Sequence, residues 1–288
     1  MSAERYKRRV VLVTGGGRGI GEAVARAFAR ADSDLVLVAR TGVELERVAQ
    51  SLEREGSRAV SLPGDVRALS VIERIVEITL ATFGQLDVLV NAAGILGPIG
   101  PLVENEPNEW AETVETNLLG TMHAMRAVLP QMLAQRRGVI LNFSGGGAVT
   151  PFPRFSAYSS TKAAIVRLTE TVAEEVRGAG VRVNAIAPGA VATRMLDRVI
   201  EAGKVAAVAY YARALDLKVG GAVSPDRAAE LAVFLASTEA SGITGRLISA
   251  VWDDWRTLPQ RTAEMAGSSL FTMRRIDGRN FIEVRDSR

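Results

Sequence analysis

Val10-Val11-Leu12-Val13-Thr14-Gly15-Gly16-Gly17-Arg18-Gly19-Ile20-Gly21 decides how this 288-residue chain folds. Its four leading apolar residues, mostly β-branched, read as a buried strand, because a parallel strand covered on both faces needs apolar side chains throughout. Glycines follow at once, and from Glu22 to Arg30 apolar residues recur at helical spacing. Strand, glycine turn and helix together make a site for a pyrophosphate. Glycines let the backbone approach the phosphates, and the helix N-terminus offers free N–H groups at the positive end of its dipole. The spacing is Gly15-x3-Gly19-x-Gly21, distinct from the G-x-G-x-x-G form of the general dinucleotide fingerprint. Glycine turns also serve ordinary loops, so residues farther along the chain decide what this one means.

Strand-like runs recur at Val10–Val13, Leu35–Val38, Ala59–Leu62, Val88–Val90, Val139–Phe143, Val181–Ile186 and Arg246–Val251, with helical patterns between them. This regular alternation predicts an α/β fold: a doubly wound parallel sheet with right-handed crossovers. No linker of biased composition and no internal repeat interrupts it, so residues 1–251 read as one domain. Hydrophobic residues make up 48% and charged residues 23%, which fits a globular protein and excludes disorder over most of the length. The formal net charge of +3 is too small, and the arginines too scattered, to argue for nucleic acid. The absence of cysteine excludes disulfides and thiolate metal sites. Met1–Arg9 is charged with no apolar segment behind it, so neither a signal peptide nor a membrane span is expected, and a cytoplasmic enzyme is the default reading.

In such sheets the ligand sits beyond the carboxyl ends of the strands, so the residues just after each strand are the ones to inspect. Arg40 follows the second strand, where Asp or Glu would suit the ribose 2′-hydroxyl of NAD and Arg suits a 2′-phosphate; Arg18 adds a second cation. Both are alternatively solvated surface arginines. Asp65, with Val66 beside it, is either an acceptor for an adenine amino group or an N-cap for the helix beginning near Ala68. Asn91-Ala92-Ala93-Gly94 offers small residues for a cofactor to pass. Asn117 lies inside a helical stretch, Glu109 to Met125, where Asn is a poor helix former unless its amide is used. The sole histidine, His123, reads as a packing or subunit-contact residue, since no cluster around it marks a metal site. Tyr158 and Lys162 are four apart and share a helix face, where an ammonium would stabilise phenolate and lower the phenol's pKa. Such pairs are common by chance; following the glycine turn, the Asn-Ala-Ala-Gly and a Ser at the fifth strand end, this one reads as chemistry.

With these residues together, the sequence resembles the short-chain dehydrogenase/reductase family. The resemblance rests on Thr14–Gly21, Asp65, Asn91–Gly94, Asn117, Ser144, Tyr158-x-x-x-Lys162 and Pro188-Gly189-x-x-x-Thr193, in the family's order and spacing over roughly Arg8 to Val251. It implies a Rossmann-type sheet of about seven strands, a nicotinamide cofactor and hydride transfer between that cofactor and a carbonyl or secondary alcohol. Tyr158 would be the general acid/base; Lys162 would hold the nicotinamide ribose and depress the Tyr158 pKa. Asn117 would anchor a proton-relay water, Ser144 would hydrogen-bond the substrate oxygen, and Val191 and Thr193 would meet the carboxamide end of the nicotinamide. Gly15, Gly17, Gly19, Ile20 and Gly21, with Asn91, Ala92, Gly94, Pro188 and Gly189, complete the implied cofactor site. NADP(H) is the preferred cofactor, with NAD(H) admitted. The expected partners are a small carbonyl or alcohol substrate and further copies of the chain in a homodimer or homotetramer, with no metal, nucleic acid or membrane.

Two departures stand out. The family's serine lies thirteen residues before the tyrosine, a position held here by Gly145. Either Ser144 slips into place or a backbone N–H of Gly145–Gly147 does the work. The chain also runs on after Val251: residues 252–288 read as a C-terminal extension, with Phe271–Ile276 and Arg279–Val284 flanking Asp277-Gly278 in a β-hairpin pattern. Trp252 and Trp255 are expected to dock with this arm near the active-site mouth. Phe152, Phe155, Met195 and Leu196 are candidates for an apolar substrate pocket and Arg154 or Arg194 for an anion contact; packing and solvation explain them equally well. The rival readings are an epimerase or dehydratase that uses bound cofactor without net redox change, and a non-catalytic NADP-binding sensor or scaffold. Retention of both Tyr158 and Lys162 speaks against the last.

Overall fold

The computed structural model describes residues 8–275. Seven parallel strands form one sheet: β1 (Arg9–Thr14), β2 (Ser33–Ala39), β3 (Ala59–Pro63), β4 (Val88–Asn91), β5 (Gly138–Phe143), β6 (Val181–Ala187) and β7 (Leu247–Ser249). Their order is β3-β2-β1-β4-β5-β6-β7. This is the expected doubly wound Rossmann-type architecture. The winding reverses between β1 and β4, which opens a crevice above their carboxyl ends, the place where such sheets bind ligands.

Side-chain alternation along each strand divides the interior into two layers. Val11 and Val13 face α1 (Gly19–Arg30), α2 (Gly42–Arg54) and, later in the chain, α9 (Pro225–Ala236), through Val24, Phe28, Leu45, Val48, Leu231 and Leu235. Val10 and Leu12 face the other layer, where Ile72 and Val76 of α3 (Leu69–Phe83), Met125 and Val128 of α5 (Gly120–Ala134) and Val172 of α6 (Ser156–Glu175) pack. Burial on both faces is why β1 is apolar from Val10 to Val13. The stretch expected as one helix from Glu109 to Met125 is α4 (Pro107–Val114), a π-helical segment at Glu115–Leu119 and the start of α5. Between β6 and β7 come α7 (Arg194–Ala207), α8 (Ala209–Asp216) and a π-type turn at Leu217–Gly221.

The extension departs from expectation. Trp255 begins a 3-10 segment, Trp255–Arg261, is buried and packs on Phe234 of α9 at 5.0 Å between ring centroids. Trp252 does not dock; it is 84% exposed. After the short α10 (Thr262–Met265), Phe271–Arg275 is turn and irregular backbone, not strand, and Phe271 has φ +57°. The remainder of the predicted hairpin lies outside the described residues. The described part of the tail covers the amino end of β7 and not the cleft mouth: Phe271 accepts a hydrogen bond from the Leu247 N–H at 2.8 Å. Among the described residues no helix is long and apolar enough to cross a membrane.

Candidate active site

The glycine turn joins β1 to α1. Gly15 has φ +71° and lies against the backbone of Ala92 and Ala93, and a Cβ on Gly21 would collide with the Gly15 carbonyl oxygen. No side chain caps the first turn of α1, so its N–H groups stay open toward the crevice. A cavity of about 480 Å³ occupies that crevice. Its walls include Gly15, Gly17, Arg18, Gly19, Ile20 and Gly21 from the turn, Arg40 after β2, Asp65 and Val66 after β3, Ala92 and Gly94 after β4, and Thr193 before α7. Twelve sequence-predicted cofactor residues thus converge on one cleft.

The others stand behind its walls. Asn91 is buried and donates through Nδ2 to Asn142 Oδ1 at 2.9 Å, tying β4 to β5. Pro188, Gly189 and Val191 do not line the cavity. Gly189 (φ +82°) gives Val251 room, and Val191 bridges to Val223. His123 supports the floor, with Nδ1 3.0 Å from the Val66 carbonyl oxygen.

Charge is concentrated at the rim. Asp65 accepts from the Arg67 backbone N–H at 3.0 Å and guanidinium at 2.7 Å, and that guanidinium holds its carboxyl below the usual range. Arg40, half exposed, reaches Glu112 only at 3.9 Å. Glu44, which the sequence reading passed over, lines the cleft and pairs with Arg18 at 3.4 Å and Arg194 at 3.0 Å. Across the opening Lys218 binds Asp197 at 2.8 Å. Met195 and Leu196 line the same cleft, whereas Phe155 is fully buried beneath it.

Behind Gly94, outside the cavity lining, α6 carries Lys162 and, one turn earlier, Tyr158. Lys162 is 5% exposed and donates through Nζ to the Phe143 carbonyl at 2.8 Å. Nζ lies 5.5 Å from the centre of the Tyr158 ring. Burial pushes the Lys162 ammonium down to about 8, and burial, with the Tyr210 phenol adding to it, pushes Tyr158 up to about 12. Desolvation therefore outweighs any lowering by Lys162. Asn117 sits in the π segment, a local widening that re-aims a side chain and recurs at functional sites. Its amide clamps Ile95, accepting from N–H at 2.8 Å and donating to C=O at 2.9 Å, and it also donates to Thr161 Oγ1 at 3.1 Å. Gly94 brings these groups together: a Cβ there would lie 3.2 Å from Asn117 Oδ1 and 3.7 Å from Lys162 Nζ.

Ser144 does not join them. It is 2% exposed, and its Oγ donates to the Lys162 carbonyl at 3.2 Å. The cause is strand alternation: Ser144 follows Asn142 by two residues, and both side chains face α6. That period-two argument was available in the sequence. Gly145 instead borders the tyrosine, a Cβ there falling 2.5 Å from the Tyr158 hydroxyl oxygen.

Among the described residues no group of three or more His, Cys, Asp or Glu is placed to hold a metal. A nicotinamide dinucleotide fits the cleft: the glycine turn leaves no Cβ where a pyrophosphate would lie, and the α1 N–H groups face it.

Known proteins agree with this geometry. A short chain dehydrogenase family pattern matches residues 9–203. The oxidoreductase UcpA of Salmonella typhimurium is 34% identical over 257 residues, covering 88% of this chain and 95% of that protein. Among solved structures, NAD+-bound xylitol dehydrogenase matches with TM-score 0.79 and 27% identity, over 85% of this chain and 98% of that one. A variant of actinorhodin polyketide ketoreductase with NADPH matches with TM-score 0.78 and 30% identity, over 84% and 95%. With the sheet, the cleft and the Tyr158–Lys162 pair in place, the chain belongs to the short-chain dehydrogenase/reductase family of NAD(P)-dependent oxidoreductases.

Proposed function

We propose that this protein is an NADP(H)-preferring reductase of carbonyl compounds, interconverting a ketone or aldehyde with its alcohol. The observation that carries the reading is the placement of Lys162 and Asn117 against Gly94 of a glycine-turn cleft, with the Tyr158 ring 5.5 Å from Lys162 Nζ. A nicotinamide bound there supplies or accepts the hydride. Tyr158, protonated well above neutral pH, is set to give its proton to the substrate oxygen as a carbonyl is reduced. Lys162, buried against the Phe143 carbonyl, would turn its remaining donors to the nicotinamide ribose. Asn117 holds the Ile95 backbone and so fixes the wall beside Gly94.

Preference for NADP(H) is supported by Arg40 and Arg18, both at the cleft rim and both half exposed. The nearby carboxylates Asp65 and Glu44 are already neutralised by Arg67, Arg18 and Arg194. The same reading takes residues 1–251 as the catalytic domain, residues 252–288 as an appendage, and the assembly as a homodimer or homotetramer, which sedimentation reads. A panel of ketones and aldehydes followed at the NADPH absorbance band tests the activity. Tyr158→Phe should lower turnover by about a hundredfold or more while NADPH binding is kept, because the ring stays and only the proton donor goes. Turnover within tenfold of the unsubstituted protein would sink the assignment.

A further inference from the structure

The substrate oxygen needs a second hydrogen-bond donor opposite Tyr158, and the end of β5 offers no side chain for it. Gly145 stands at the position, and the Tyr158 hydroxyl occupies the room a side chain there would need. Ser144 is turned into the protein and spent on the Lys162 carbonyl.

A second phenol packs on the same apolar cluster as Tyr158. Tyr210, in α8, sets its ring edge-on to Phe152 at 4.9 Å and to Phe155 at 5.5 Å. Phe152 in turn borders the glycine run, its Cε1 3.6 Å from where a Gly146 Cβ would be. Tyr158, Phe152 and Tyr210 all pack on one apolar cluster containing Leu96, Phe155 and Leu196. Burial pushes the Tyr158 phenol up, and the Tyr210 phenol adds to that push. Among the described residues neither phenol oxygen has a hydrogen-bond partner, so neither hydroxyl is spent there.

We propose that Tyr210 is the second hydroxyl of this active site, donating a hydrogen bond to the substrate carbonyl oxygen opposite Tyr158. The inference rests on the carbonyl-reductase reading. In the step it serves, the carbonyl carbon gains hydride from the nicotinamide, the C=O π pair moves to oxygen, and that oxygen takes the Tyr158 proton. Tyr210 keeps its own proton and stabilises the charge developing on oxygen. With the half-buried Phe152 beside it, the site favours a carbonyl carrying an apolar group, such as an aryl ketone.

The test is single-turnover reduction of aryl methyl ketones by NADPH, with NADPH affinity from fluorescence. Tyr210→Phe keeps the ring packing and should slow hydride transfer about tenfold to a hundredfold, with NADPH Kd within twofold. Ser144→Ala should stay within threefold of the unsubstituted rate. A Tyr210→Phe rate within threefold, with Tyr158→Phe inactive, would overturn the role of Tyr210 and leave the proposed function standing. A hundredfold loss in Ser144→Ala alongside an unaffected Tyr210→Phe would return the donor to β5 and overturn it equally. No reduction of any ketone by the unsubstituted protein would overturn both readings.

Discussion

Lys162 holds its ammonium almost fully buried, and that costs stability. Its pKa falls from 10.5 to about 8 on burial, so the folded state holds its proton less tightly than the unfolded chain. Between about pH 8 and 10.5 the unfolded state then binds more protons, and this group's contribution to stability rises with pH across that window. Below pH 8 the penalty is fully present. A shift of this size corresponds to about 3 kcal/mol, and the Phe143 carbonyl left unpaired by removal of Nζ returns about 1 kcal/mol of that. Lys162→Met should therefore raise the melting temperature at pH 7, with the advantage shrinking by pH 9.5, while hydride transfer is lost. Melting curves at both pH values check it; a variant less stable at pH 7 would contradict the buried ammonium. Stability given up for chemistry marks a working site. The Tyr158–Lys162 pair was legible from its spacing. The dominance of desolvation over their mutual attraction was not, because burial is a property of the folded environment.

At the scale of elements, the strands were readable because both faces of the sheet are covered, so Val11 and Val13 are as apolar as Val10 and Leu12. β7 ends earlier than its apolar run suggests: Ser249 Oγ accepts the N–H of Val251 and Trp252 at 3.2 and 3.1 Å and turns the chain. The tail was the least legible part, because its contacts are with residues distant in sequence. Arg246 binds the Met265, Ser268 and Leu270 carbonyls, and Glu170 accepts from the Met273 N–H at 2.6 Å. One guanidinium thus satisfies three carbonyls of an irregular segment, something no local pattern announces. Arg246→Ala should leave these carbonyls unpaired and cost about 3 kcal/mol, lowering the melting temperature by several degrees. Ketone reduction at a temperature where the variant stays folded should be unchanged, since no residue after Lys218 lines the cleft among those described. A large loss of activity without loss of stability would tie the tail to the active site instead.

Over the whole molecule, the reversal of strand order between β1 and β4 gathers groups distant in sequence into one cleft. Arg18 and Arg40 follow the adjacent strands β1 and β2 on one side of it, and Gly94 follows β4 on the other. Arg40→Ala should weaken NADPH by about tenfold to a hundredfold and NADH hardly at all, the loss of one charge-assisted contact to phosphate. Equal losses for the two cofactors would mean that the arginine does not read the 2′-phosphate. Net hydride transfer separates a reductase from an epimerase, a dehydratase or a silent NADP-binding protein built on the same cleft. Its most direct measurement is a single turnover with stoichiometric C4-deuterated NADPH, once each way for the label's stereochemistry. Deuterium from one of the two labelled forms should appear on the carbinol carbon of the alcohol, with NADP+ formed in equal amount, and Tyr158→Phe should nearly abolish both. Substrate conversion with all deuterium still on the cofactor would contradict net hydride transfer.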